Sequence, residues 1–251
     1  MKKSSPFALT ASSMLLAILS GSVCFAQTTP PPARSAVTIT HVNPAMLDEW
    51  VDLQKNEVMP ALKKAGVPSR TTLRTVWGTG YEFVTITPLA KYADRDNPNQ
   101  LTTALGAEAS ARLQAKLRRC IISSQSYISN RMEDLSNTPS GDLPPNVITV
   151  STRSRVAPGK GEEWANFIKT EILPIYKKGN ARYSVSSRGF GANGSDRTTT
   201  TYVAKFADLD AGSLVTRTLA PEALAKLRAK GVGLSSPIET IVRQRVADLS
   251  F

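Results

Sequence analysis

The sequence predicts an α+β fold made of two tandem β-α-β-β-α-β units that pair within the chain as a pseudo-dimer. Three observations carry this. Sliding the sequence by 114 residues aligns its halves without a gap: Val42, Pro44, Glu49 and Trp50 meet Val156, Pro158, Glu163 and Trp164, and Glu57, Pro60, Lys63 and Lys64 meet Glu171, Pro174, Lys177 and Lys178. A proline-rich segment, 137–147, separates the copies. Each copy also runs through strand-like and helix-like periodicities in the same order. A repeat of about a hundred residues far exceeds the roughly 20 to 50 of solenoid units, so each copy reads as a small domain.

The elements follow in order. Opening strands are expected over 36–42 and 147–156, where β-branched residues alternate. Pro44 and Pro158 turn the chain into a helix with one apolar stripe: Trp50, Leu53, Gln54, Val58 and Leu62 in the first copy, and Trp164, Phe167, Ile168, Ile172, Ile175 and Tyr176 in the second. Pro60 and Pro174 lie inside that stripe and predict a kink, since proline lacks a donor and crowds the preceding turn. A hairpin follows over 71–77 and 81–89, turning at Gly78-Thr79-Gly80; its second version turns at Gly191-Ala192-Asn193-Gly194. Second helical regions, 99–119 and 211–230, are interrupted near Gly106 and Pro221, and last strands cover 121–132 and 237–246. The domains are therefore 36–136 and 148–251.

Ahead of them, Met1-Lys2-Lys3, the apolar run 14–19 and Cys24-Phe25-Ala26 form the three parts of a secretory signal over 1–26, followed by a tether over 27–35. The expected address is periplasmic or secreted. The apolar run is shorter than the ~20 residues of a membrane span, and no transmembrane segment is expected. Beyond the signal Cys120 is the only cysteine, which excludes an intramolecular disulfide and a cysteine-based metal site. The net charge of +11 favours anionic ligands or surfaces. Its basic residues are interleaved with acids, and with the secretory address this makes nucleic acid an unexpected partner.

A duplicated β-α-β-β-α-β unit is the ferredoxin-like pattern. With unit length, element order and phrases such as Val156-Ala157-Pro158-Gly159-Lys160-Gly161-Glu162-Glu163-Trp164, the chain resembles the dimeric α+β barrel superfamily. That superfamily includes cofactor-free monooxygenases of antibiotic biosynthesis, haem-degrading enzymes, chlorite dismutase-like proteins and NIPSNAP-like domains. The resemblance implies two ferredoxin-like units packed sheet to sheet as an intramolecular pseudo-dimeric barrel. It transfers no catalytic motif. Haem-using members hold iron through a histidine, usually on a helix, whereas His41 falls in or beside the first strand, so no cofactor is expected.

The candidate ligand-binding residues are Glu57, Glu171, Arg74, Arg188, Trp50 and Trp164. Glu57 and Glu171 return to the helix stripe seven residues after each tryptophan, where an acid needs a partner or a raised pKa. Either glutamate can serve as a base or bind a cation, or it forms a structural ion pair with Arg74 or Arg188 on the second strand. Trp50 and Trp164 are either an aromatic wall for a flat ligand or core. Arg131 and Arg245 are out of phase with their apolar neighbours and point to the opposite sheet face. The Lys91/Asp94/Asp96 and Lys205/Asp208/Asp210 sets read as capped turns and not as a metal loop, and no metal is expected. Three functions remain open: a protein binding a small organic ligand, anionic or neutral, in a partly apolar cavity of each copy, a cofactor-independent monooxygenase or isomerase of small aromatic or lactone-like compounds, and an interaction scaffold.

Overall fold

Eight antiparallel strands close into a barrel in the computed structural model, which describes residues 34–140 and 143–251. The signal expected at 1–26 lies outside the described residues. So does the tether at 27–35, apart from Arg34 and Ser35, which open the first strand. The strands are β1 (Arg34–Val42), β2 (Thr71–Trp77), β3 (Glu82–Pro88), β4 (Ile121–Arg131), β5 (Ile148–Val156), β6 (Tyr183–Arg188), β7 (Asp196–Val203) and β8 (Ser235–Arg245). Around the barrel they run β1-β3-β2-β8-β5-β7-β6-β4. Each half contributes one contiguous run in the same order, β4-β1-β3-β2 and then β8-β5-β7-β6. The runs join edge to edge at two seams, β2 with β8 and β4 with β6. The barrel implied by the resemblance is present, and its two sheets meet edge to edge as one closed sheet, which pairs all four edges that two stacked sheets would leave bare.

Helices cover the outside. In the first half α1 (Leu47–Leu53) passes through a π-helical turn (Gln54–Val58) into α2 (Met59–Lys64), and α3 (Gln100–Leu105) and α4 (Ala107–Arg119) follow β3. The second half repeats this with α5 (Gly161–Phe167), a π-helical turn (Ile168–Ile172), α6 (Leu173–Lys178), α7 (Leu214–Thr218) and α8 (Pro221–Gly231). The π turns stand where the prolines predicted a kink. Met59 N–H reaches back to the Gln54 carbonyl, and Leu173 N–H to that of Ile168, one residue beyond the α-helical partner. The widened turn accommodates Pro60 and Pro174, which have no N–H for the next bond.

The gapless 114-residue register fails at one strand. Arg70 exchanges both backbone hydrogen bonds with Phe251, and Tyr183 does the same with Asn137. Phe251 and Asn137 are 114 apart, so Arg70 corresponds to Tyr183 at an offset of 113. The same offset carries Thr72, bonded to Ser250, onto Val185, bonded to Ser136. The second half has a shorter connection between α6 and β6 and a longer hairpin between β6 and β7. A one-residue slip turns every side chain of a strand to the other face. Arg74 and Arg188 are therefore not counterparts: Arg74 is exposed on the outside and Arg188 points into the barrel.

The hairpin glycines owe their place to packing. Gly191 has φ 86°, and a Cβ there would lie 2.5 Å from the Ser126 carbonyl oxygen on β4, so only glycine fits. The repeated lysine and aspartate sets form short 3-10 turns, with Asp94 accepting from Lys91 N–H and Asp208 from Lys205 N–H. Cys120 is buried in the first helix–sheet core. No helix among the described residues is long and apolar enough to cross a membrane.

Candidate functional site

Strand alternation divides the molecule into two compartments. Outward residues of the sheet meet the helices, and inward residues fill the barrel. Between helices and sheet in the first half lies a pocket of 280 Å³, lined by Thr38, Thr40, Thr85, Thr87 and Ser124 from the strands and by Trp50, Gln54, Val58, Leu62 and Leu117 from the helices. Arg70 enters it from the residue before β2. The residue is only 6% exposed, and its Nη2 donates to the Gln54 amide oxygen at 2.8 Å. Arg70 Nε and Trp50 Nε1 are both buried without a hydrogen-bond partner. Desolvation holds the Arg70 guanidinium down at about 10. A buried guanidinium with no Asp or Glu paired to it among the described residues, beside two unmet donors, is an arrangement that an anion or strong acceptor completes.

The second half keeps the scaffold and fills this place. Ile168 stands where Gln54 does, Tyr176 where Leu62 does, and Tyr183 where Arg70 does. Tyr176 and Tyr183 stack with ring centroids 4.3 Å apart in a core that also contains Trp164 and Leu173. The expectation of equivalent cavities in both copies is corrected: two tyrosines occupy the second. A groove beside Glu171, 240 Å³ in volume, is lined by Glu163, Phe167, Thr170, Lys230 and Leu234.

The barrel interior holds a larger cavity of 380 Å³. Charged pairs brace it. Glu82 accepts from Arg243 at 2.7 Å and from Thr75 at 2.6 Å, and lies 3.7 Å from His41. Asp196, its counterpart, meets Arg155 at 2.9 Å and Arg153 at 3.4 Å, while Arg153 also meets Glu239 at 2.8 Å. Arg131 and Arg245 face this interior, as their phase predicted.

The predicted site residues are dispersed. Trp50 lines the helix–sheet pocket and packs on Phe83 at 4.5 Å, whereas Trp164 is core. Glu57 bonds Lys116 at 2.9 Å and Glu171 bonds Lys230 at 2.8 Å, both on the outer helix surface. Their expected pairing with Arg74 and Arg188 is corrected, because the glutamates lie on helices outside the sheet while Arg188 points into the barrel and Arg74 lies exposed. Arg188 instead lies 4.4 Å over the Tyr127 ring, with its guanidinium held below its ordinary value by burial. Sequence reasoning missed Arg70 and the buried acids Glu82 and Asp196. One signal for the pocket was present: Gln54 is the polar member of an otherwise apolar stripe.

Haem does not fit these residues. The pocket lining contains no histidine, cysteine, methionine or tyrosine. The chain's single histidine, His41, belongs to the barrel side of β1, beside Glu82.

No family profile matches the chain, and no curated protein matches it in sequence. Solved structures do match in fold. A candidate monooxygenase from Fusobacterium nucleatum superposes with a TM-score of 0.58 at 11% identity, covering 87% of this chain and 94% of that one. A candidate monooxygenase from Lactobacillus acidophilus gives 0.56 at 10% identity, covering 87% and 95%. A mutant chlorite dismutase from Candidatus Nitrospira defluvii gives 0.55 at 9% identity, covering 88% and 95%. These neighbours belong to the dimeric α+β barrel superfamily. The likeness concerns fold alone: this chain is a closed eight-stranded barrel of that type.

Proposed function

We propose that this protein binds a small organic anion in the helix–sheet pocket of its first half. One observation carries the reading: the Arg70 guanidinium is buried in a cavity with no Asp or Glu paired to it among the described residues, and the matching place in the second half is filled by stacked tyrosines. A duplicated scaffold that closes the pocket of its second half and keeps a costly bare cation in that of its first is consistent with use of the first. In this reading the chain is a tandem ferredoxin-like pseudo-dimer, and the signal-like segment at 1–26 sends it to the periplasm or the outside.

A second reading takes its lead from the two neighbours named as candidate monooxygenases: cofactor-independent oxygenation or isomerisation of a small aromatic or lactone-like compound in the same pocket. Trp50 Nε1 and Arg70 Nε are buried donors without a partner on residues that line this pocket, the kind of group that stabilises an oxyanion. Proton abstraction needs a base within hydrogen-bond reach, and the described residues lining the pocket include no carboxylate, imidazole or amine. Binding is therefore the better supported reading.

The experiment is native mass spectrometry of the full chain purified from its host, beside the Arg70→Gln variant. A small organic acid retained by the first and absent from the second is the expected result. No retained mass, with no binding of added benzoate in calorimetry, overturns the reading and favours a scaffold.

A further inference from the structure

The wall of the barrel interior changes character halfway round. The first half presents Val37, Ile39, Leu73, Val84 and Ile86; the second presents Ser151, Ser184, Ser186, Thr198 and Thr200. An eight-stranded barrel is just wide enough for side chains to fill or for one small ligand. Short hydroxyl residues on one side leave 380 Å³ open, within the range of ligand sites.

Charge inside this cavity is unbalanced. Arg243 is held by Glu82, Arg153 by Asp196 and Glu239, and Arg131 by Glu133. Arg188 and Arg245 have no ion pair with an acid among the described residues. Arg188 Nε and Thr198 Oγ1 are also buried with no hydrogen-bond partner. They are neighbours: Thr198 pairs with Ser186 across β6 and β7, and Arg188 pairs with Ser129 across β4 and β6. Tyr127, under the Arg188 guanidinium, is the register partner of Val37, which pairs on its other side with Ile86. The unmet donors thus adjoin the apolar wall directly.

We infer that the barrel interior is a second binding site, for a compact amphipathic carboxylate held at Arg188, Thr198 and Ser186 with its apolar body against Val37, Val84 and Ile86. The fork of a guanidinium matches a carboxylate in a bidentate geometry, and a neutral polar group satisfies it less well. This site is independent of the helix–sheet pocket. The two take opposite faces of the same strands, with Thr38 and Thr85 outside and Val37, Ile39, Val84 and Ile86 inside.

The test is isothermal calorimetry of 1-naphthoate against the full chain carrying Arg70→Gln, so that the outer pocket is disabled. Saturable binding at one equivalent is expected, with 1-naphthylmethanol binding at least tenfold more weakly. Adding Arg188→Gln or Thr198→Val should each weaken 1-naphthoate at least tenfold. Ser186→Phe, which plugs the cavity without removing a charge, should abolish binding and decides the matter if the Arg188 variant does not fold. Absence of binding to the Arg70→Gln protein, equal affinity for the alcohol, or binding unchanged by Ser186→Phe overturns the inference and leaves the interior as a water-filled core.

Discussion

Arg70 and Tyr183 occupy the same place in the two halves: each exchanges two backbone hydrogen bonds with the segment after the last strand, Arg70 with Phe251 at 2.8 and 2.9 Å, Tyr183 with Asn137 at 2.9 and 2.7 Å. One backbone position thus carries a bare cation in a pocket and a phenol stacked in a core. The difference between an open and a closed copy rests on three substitutions at matched positions, Gln54 for Ile168, Leu62 for Tyr176 and Arg70 for Tyr183.

Replacing the cation should separate stability from binding. Arg70→Met is expected to raise stability by about 1 to 3 kcal/mol, because a buried charge without a partner costs more than an apolar side chain of similar length. It should also abolish anion binding in the outer pocket. Urea unfolding beside calorimetry with benzoate tests both. A loss of stability of that size would make Arg70 a structural residue.

Glu57→Gln and Glu171→Gln should matter little. Their bonds to Lys116 and Lys230 are solvent-exposed ion pairs, worth about 0 to 1 kcal/mol each. Unfolding midpoints and ligand retention should both stay near those of the parent. A large loss of binding in either variant would return these glutamates to the site.

Glu82 should behave in the opposite way. Glu82→Leu strands the Arg243 guanidinium and the Thr75 hydroxyl inside the barrel, and breaking a buried pair at one end costs about 3 to 5 kcal/mol. The urea midpoint should fall accordingly. A change under about 1 kcal/mol would mean that water replaces the carboxylate there.

Alkaline pH gives a spectroscopic test. Burial pushes the phenols of Tyr127, Tyr176 and Tyr183 above their ordinary value, so the folded chain holds these protons more tightly than the unfolded chain. Their contribution is complete below about 10 and is lost as pH rises through the raised folded values. Absorbance titration should show Tyr127, Tyr176 and Tyr183 ionising later in the folded protein than after unfolding. Loss of the trio from the late phase, with titration unchanged by unfolding, would contradict their burial.

The seams predict the fate of half a molecule. A fragment of residues 36–136 exposes the β2 and β4 edges that β8 and β6 cover, together with the apolar wall of Val37, Leu73 and Val84. It should aggregate or self-associate in light scattering. A soluble monomer would show that the first half closes its own sheet edges.

Element order, the repeat and most helix and strand positions were legible because each depends on local periodicity. Trp50 and Trp164 fall on buried helix stripes, and Pro60 and Pro174 mark the same irregular turn in both halves. Arg131 and Arg245 could be assigned to a sheet face from alternation alone. The site was less legible. Nothing local distinguishes Arg70 from an exposed arginine; its burial follows from backbone pairing with Phe251, some 180 residues along the chain.

The sequence by itself determined which residues form strands and helices and that the pattern occurs twice, since both follow from side-chain periodicity within a few turns. Tertiary structure alone decided which face β6 turns inward, which acids meet which arginines, and which of two matching cavities stays open. Those outcomes depend on a one-residue difference in loop lengths, which reverses the facing of a whole strand, and on closure of the barrel, which brings the inner faces of both halves around one shared cavity.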